Sequence, residues 1–331
     1  MPLGADIVRA LAAGRPRSAA ALAAALGTTR AAVASALRSL PAWGLEVEVV
    51  RGRGYRLRAP LELLDQATIE STLDGDARAR LQALEVLAVT ESTNSQLFAA
   101  SAPAPGCWHA CLAEYQSAGR GRRGRGWIAP YASGLCLSFG WTFAAVQGGF
   151  AALGLAAGVA TLRALAQHGV QGVRLKWPND VLYGTDKLGG ILSELRADAN
   201  GATRIVVGIG LNVRLPAAAG AAIAAAGGLP AVDLVRVSGA AGPPPRSQLA
   251  GSLLTELVRM ARAFESSGLS PFIAEWNAAD ALRDRTVRVS GELRAREGIA
   301  RGIDVDGALR LEADGRLERL VSGEVTLRAV A

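Results

Sequence analysis

Residues Gly119 to Trp127 read G-R-G-R-R-G-R-G-W, and the stretch on their C-terminal side decides the fold class. Gly119, Gly121 and Gly124 match the G-x-G-x-x-G dinucleotide fingerprint, which works only where a helix comes next and offers its N-terminus to a pyrophosphate. Here the chain continues as Trp127-Ile-Ala-Pro-Tyr-Ala-Ser-Gly134, a turn-rich stretch that starts no helix. The doubly wound dinucleotide fold is therefore excluded, and the Walker pattern G-x-x-x-x-G-K-[ST] is absent. What remains is a loop of four arginines between four glycines, able to close over a polyanion. Trp127 argues against a merely solvated basic loop, which would not need it.

The flanking segments predict α+β. Val86–Val89, Cys111–Tyr115, Gly134–Phe143, Val173–Lys176, Val181–Tyr183, Lys187–Leu195 and Ile205–Val213 read as strands, with a buried small-residue helix over Phe150–His168. Antiparallel strands with helices on one side fit this order better than alternating βαβ units. Gly208 and Gly210 leave one face of their strand bare, as where a flat ligand lies against backbone. Thr90-Glu-Ser-Thr-Asn-Ser95 is either a helix cap or a set of hydroxyls and amides that orients a small neutral heterocycle. Of 36 lysines and arginines only Lys176 and Lys187 are lysine, beside Trp, Pro, Asn and Gly, which predicts positions that need a compact ammonium. Cys107, His109 and Cys111 would share one strand face, but one further cysteine and one further histidine favour buried structural thiols over zinc. No Ser/His/Asp triad is present in sequence reach of a nucleophile.

Charge is uneven. Residues 1–60 carry nine arginines against Asp6, Glu46 and Glu48, most of the formal +7 of the chain. Ile7, Val8 and Leu11 predict a first helix, Ser18 caps a second that ends at Gly27, and Thr28 or Thr29 caps a third over Arg30–Leu40. That order is a helix-turn-helix, whose later helix lies in the major groove. Leu45–Val50, the turn Arg51-Gly-Arg-Gly54 and Tyr55–Leu57 then make a basic-tipped wing. Thr29, Arg30, Ser35, Arg38, Arg51 and Arg53 are the candidate DNA contacts. Leu61–Arg80 reads as one or two exposed linking helices.

Beyond the centre, the alanine run 217–226 reads as a small-residue loop or weak helix outside the core. Pro243–Pro245 precede an amphipathic helix over Ser247–Phe264. Short strands come next at Thr286–Val289, Leu293–Arg301, Ala308–Leu311, Leu317–Val321 and Val325–Leu327, the pattern of a small barrel. The longest apolar stretch, Phe150–Leu162, falls short of the roughly 20 residues of a membrane span, and Arg9 and Arg15 interrupt any signal-peptide core. A cytoplasmic protein without a membrane partner is expected.

Five segments now stand in a fixed order: Ser92-Thr-Asn94, Glu114–Arg125, Lys176-Trp-Pro-Asn-Asp180, Lys187-x-Gly-Gly-Ile-Leu192 and Gly208-Ile-Gly-Leu-Asn-Val213. In order and spacing they resemble the biotin protein ligases, and with the winged N-terminus the whole chain resembles the bifunctional ligase and biotin operon repressor type. The resemblance implies a DNA-binding domain at 1–62, a linker at 63–82, a class II synthetase-like mixed sheet with helices at 83–280 and an SH3-like barrel at 281–331. It implies ATP, Mg2+ and biotin as reactants, biotinoyl-AMP as bound intermediate, a lysine of a biotin carboxyl carrier protein as acceptor, and operator DNA and a homodimer as further partners.

By resemblance, Lys187 bridges the biotin carboxylate and the α-phosphate, and Arg122 holds the adenylate phosphate; these are the expected catalytic residues. Ser92, Thr93, Asn94, Gln116, Gly119, Arg120, Gly121 and Gly190 complete the biotin site. Arg123, Arg125, Trp127, Asn179 and Asn212 are the nucleotide contacts, and Asp180 the magnesium or acceptor-lysine partner. Two rivals are a lipoate or octanoate transferase, which would lack the long arginine loop and the Lys176–Asp180 run, and a ligand-sensing regulator without ligase activity.

Overall fold

The computed structural model describes residues 3–143, 150, 152–197, 203–290, 295–321 and 323–327. Its N-terminal unit holds α1 (Leu3–Leu11), α2 (Ala19–Ala25) and α3 (Arg30–Ser39). Ser18 Oγ accepts from Ala21 N and Thr29 Oγ1 from Ala32 N, both at 3.1 Å, so Thr29 is the cap of the third helix. Each such cap contributes about 1 kcal/mol. Ile7, Val8, Leu11, Leu22, Val33, Leu37 and Leu40 form one core. β1 (Val47–Val50) and β2 (Gly54–Leu57) pair antiparallel as the wing, with Gly52 at φ +73° in its turn.

This unit rests on the segment that leaves the arginine loop. Trp43 stacks on Tyr131 with centroids 5.6 Å apart, Tyr131 N donates to Trp43 O at 2.9 Å, and Tyr131 and Ala132 belong to the N-terminal core. The expectation of exposed linking helices is corrected: α4 (Gln66–Thr72) and α5 (Gly75–Ala79) bury Ile69, Leu73 and Ala77 in the central core. Ile69 comes from α4, Leu73 from the extended residue that ends it and Ala77 from α5, so both helices turn an apolar side inward.

The central sheet comprises β3 (Leu81–Thr90), β4 (Trp108–Gln116), β5 (Gly134–Phe143), β6 (Val173–Lys176), β7 (Asp180–Tyr183), β8 (Asp186–Ala197) and β9 (Thr203–Asn212). Their order is β3-β4-β5-β9-β8-β7-β6, with β3 and β4 parallel and every other neighbour antiparallel. Alternation sorts the faces: Ile205, Val207, Ile209 and Leu211 enter the main core, against α7 (Leu153–Gln167) and α10 (Arg246–Ser267). The other face is not free of helices as expected, because α6 (Thr93–Ala99) packs Leu97 there against Cys111 and Val206. Burial pushes the Cys111 thiol up to about 12. Burial, with Arg204 beside it, lowers His109 to about 4. An inert thiol and a neutral imidazole agree with a structural role.

α8 (Ala217–Ala225) is a helix with only Ala219 buried, and α9 (Leu234–Ser238) is capped by Asp233. After α11 (Ile273–Ala279) come β10 (Thr286–Ser290), β11 (Arg296–Ile303), β12 (Leu309–Ala313), β13 (Arg316–Leu320) and β14 (Glu324–Leu327), paired in the order β13-β12-β11-β10-β14. The expected strand start at Leu293 lies outside the described residues. Among the described residues β13 and β14 are the edges of this antiparallel sheet and do not pair with each other. Its Gly307 carbonyl accepts from Trp177 Nε1 at 3.0 Å, which fixes this unit to the β6–β7 turn. No single described helix is long and apolar enough to cross a membrane.

Candidate active site

A cavity of about 460 Å³ opens on the sheet face that carries α6. Its far end is polar, with mostly uncharged groups and one ion pair, Arg120 with Glu194. Ser92 caps α6, and the Thr93 backbone N and Oγ1 donate to Gln116 Oε1 at 2.8 and 3.1 Å. The Ser138 hydroxyl lies 2.7 Å from Thr93 Oγ1 and 2.5 Å from Asn94 Oδ1. Asn94 Nδ2 donates to Glu194 at 2.6 Å, and Glu194 also pairs with Arg120 at 3.4 Å. Ser92, Thr93, Asn94 and Ser138 are all at most 5% exposed, so this network is held rigid before any ligand arrives. Sequence reasoning missed Ser138 and Glu194, which lie on β5 and β8 and come beside Asn94 only through the fold.

The bare face at Gly208 and Gly210 lines the cavity and also gives close room to neighbouring side chains. A Cβ on Gly208 would sit 3.1 Å from Asn94 Cγ, and one on Gly210 would sit 2.6 Å from Trp127 Cζ2. Those glycines make room for the chain's own amide and indole, which in turn form the cavity wall. The arginine loop is a tight hairpin: Gly121 N donates to Arg125 O at 2.7 Å, Trp127 N to Gly119 O at 2.8 Å, and Arg120 faces Gly126. Arg123, at φ 55°, and Gly124, at φ 72°, form its tip.

Opposite the neutral end stands a charged cluster. Lys176 Nζ meets Asp180 Oδ2 at 3.2 Å, and Lys187 Nζ holds Asp180 Oδ1. Burial pushes the Asp180 carboxyl up, but the Lys187 and Lys176 ammonium groups outweigh it and hold it below the usual carboxylate range. Asn212 Nδ2 donates to Lys187 O at 3.2 Å and to Val232 O at 3.1 Å, and Asn179 Nδ2 donates to Ile191 O at 2.8 Å. Both amides thus fix the strands that carry the lysine. Magnesium at Asp180 would add a third cation to a carboxylate whose oxygens already meet two. Among the described residues no group of three or more His, Cys, Asp or Glu side chains is placed to hold a metal. The donor set does not fit a protein-held ion.

Of the expected site residues, the cavity gathers Ser92, Thr93, Asn94, Gln116, Arg120, Gly121, Arg122, Arg125, Trp127, Asn179, Asp180, Lys187, Gly190 and Asn212. Gly119 and Arg123 do not line it; one supplies a carbonyl to the hairpin and the other occupies its tip. Walls that sequence reasoning missed come from Ile223 and Ala226–Ala231, at the end of the alanine run, and from Val325 of the C-terminal sheet. These pieces lie far along the chain from the arginine loop, beyond the reach of local pattern. In the N-terminal unit, Thr29, Arg30, Ser35 and Arg38 are exposed at the start of α3 and along it, and Arg51 and Arg53 at the wing tip.

Comparison with known proteins gives three family matches: the biotin/lipoate A/B protein ligase family over residues 86–212, an HTH domain over 5–56 and a biotin protein ligase C-terminal domain over 284–328. The bifunctional ligase/repressor BirA of Salmonella typhimurium is 37% identical over 92% of this chain and 91% of its own length. That of Escherichia coli is 36% identical over 98% of this chain and 96% of its own. The biotin–[acetyl-CoA-carboxylase] ligase of Mycobacterium tuberculosis is 36% identical over 82% and 97%. Among solved structures, a mutant biotin protein ligase from Aquifex aeolicus in complex with biotin superposes with a TM-score of 0.62 at 25% identity, over 75% of this chain and 98% of that one.

Proposed function

Since the chain belongs to the biotin/lipoate A/B protein ligase family, we infer that it activates biotin with ATP as biotinoyl-AMP and transfers the biotinoyl group to a lysine of a biotin carboxyl carrier protein. The observation that carries this reading is one cavity with a charge-balanced, hydrogen-bonded end and a cationic end. The neutral end suits a ureido ring, which needs oriented donors and acceptors and no charge. The cationic end suits the meeting of a carboxylate with a polyphosphate, two anions that repel until fixed positive charge offsets them.

In this reading Ser92, Thr93, Asn94 and Gln116 orient the ring, and Lys187 stands between the carboxylate and the α-phosphate. The biotin carboxylate oxygen bonds to the α-phosphorus, and the bond from that phosphorus to the bridging oxygen breaks, releasing diphosphate. The acceptor lysine, as its free amine, then attacks the acyl carbon; the acyl–oxygen bond to AMP breaks, AMP leaves with that electron pair, and the amine's proton passes to solvent. No protein nucleophile is needed; alignment and charge neutralisation carry both steps. Magnesium enters with ATP as part of the substrate. Arg120, Arg122 and Arg125 face the cavity and retain the adenylate, while residues 226–231 close over the nucleotide.

Residues 83–280 perform this chemistry, 281–331 complete its wall, and 1–62, joined through 63–82, bind operator DNA as a biotin-responsive repressor. The basic exposed row on α3 and the wing supports that second role. A reaction that draws on ATP and a carrier protein belongs in the cytoplasm. Incubation with ATP, biotin and a carrier domain tests the ligase reading: the acceptor should gain the mass of one biotinoyl group at its lysine, and an unmodified acceptor would refute it.

A further inference from the structure

Only two lysines occur among 36 basic residues, and both meet one carboxylate. Lys176 and Asp180 face each other across the β6–β7 hairpin, and both side chains are 13% exposed. One ammonium suffices to hold a carboxylate beside Lys187. A second one in a half-buried place costs desolvation that this pairing alone does not require. Lys176 also lines the cavity, as do Trp177 and Val325.

We propose that Lys176 receives the diphosphate leaving group of the adenylation step, with Asp180 as the spacer that sets the two ammonium groups apart. The proposal rests on the ligase reading above. Its direction comes from the sheet. Across β3-β4-β5-β9-β8-β7-β6 the ring-orienting groups sit at the β4 and β5 side, Lys187 on β8, Asp180 on β7 and Lys176 on the edge strand β6. In phosphoryl transfer the entering and leaving oxygens lie roughly in line. A carboxylate that reaches Lys187 from the β4 side therefore expels diphosphate toward the β6 edge, where Lys176 stands. The leaving group takes the electron pair of the broken P–O bond, and a fixed ammonium there stabilises charge as it develops. A compact ammonium on a flexible stem can track a departing group, whereas a planar guanidinium fork is suited to a fixed one.

The test uses the full-length protein with Lys176→Met and Lys176→Arg. Three quantities are measured: biotin-dependent ATP–diphosphate exchange, inhibition by added diphosphate, and transfer from chemically prepared biotinoyl-AMP to a carrier domain. Lys176→Met should slow exchange roughly ten- to a hundredfold and raise the half-inhibitory diphosphate concentration about tenfold, with part of both restored in Lys176→Arg. Transfer from the prepared adenylate should fall by less than about threefold. Equal slowing of both half-reactions would mean that Lys176 merely holds Asp180, and would overturn the proposal, as would an unmoved diphosphate inhibition. A wild-type protein silent in exchange overturns the ligase reading and this assignment with it.

Discussion

At the α6 end of the cavity, Thr93, Asn94, Ser138 and Gln116 are linked through short hydrogen bonds between uncharged groups, and Asn94 reaches across to Glu194 of β8. At the β7–β8 side, Asp180 and two lysines leave a net positive charge, and Arg122 and Arg125 of the loop hairpin line the same cavity. The first end discriminates, because a ligand lacking a matching group leaves buried polar atoms unpaired at about 1–3 kcal/mol each. The second end gains most as negative charge builds during reaction. Substitutions at the two ends should therefore separate affinity for the ring from the rate of adenylation.

The largest expected effect is at the charged end. Lys187→Ala should slow adenylate formation at least about a hundredfold, read as diphosphate release, with biotin affinity much less changed. Near-normal release would break the comparison. Ser138→Ala, at the neutral end, leaves Asn94 Oδ1 without its hydroxyl partner and should weaken biotin binding about tenfold, seen by calorimetry, while KM for ATP moves little. A matching loss in ATP affinity would show that the ends are not separate. Arg122→Gly should raise the off-rate of biotinoyl-AMP several-fold, about 1 kcal/mol, in a stopped-flow chase. An unchanged off-rate would remove the loop from adenylate retention.

The smallest effect sharpens the point about paired charge. Asp180, between two ammonium groups, is held below the carboxylate range, whereas burial raises Asp280 to about 6. Asp280 is 1% exposed and joins the centre to the C-terminal sheet, with Leu282 N donating to its Oδ1 at 2.9 Å. Its folded pKa lies above an unfolded value of about 3.9, so the folded state binds the proton more tightly. Stability is then lost as pH rises from about 4 to about 6, and the penalty persists above that. Asp280→Asn should gain on the order of 1 kcal/mol at pH 7.5 and nothing at pH 3 in urea denaturation. Equal stabilisation at both pH values would rule out ionisation as the cause.

The chemistry-bearing segments are legible in the sequence where chemistry is local. The caps at Ser18 and Thr29, the wing turn, the arginine loop and the Lys176–Asp180 turn all depend on residues within a few positions of each other. Ser138 and Glu194 are not legible, because only strand register sets them beside Asn94. The buried pair of Arg246 with Glu114, 2.8 Å apart, likewise joins distant segments, with Arg246 Nη1 reaching Glu62 O at 2.7 Å. Residues 226–231 look inert in the sequence because small residues carry no pattern of their own. Gly210 lines the cavity and also accepts Trp127, a neighbour that a bare strand face does not announce in the sequence.

The central claim is that this cavity joins biotin to the α-phosphate of ATP before any acceptor is present. Exchange of labelled diphosphate into ATP, with and without biotin and in the absence of carrier protein, measures that step alone. The account predicts exchange that requires biotin and needs no acceptor. Exchange that is absent, or that proceeds equally without biotin, would contradict it.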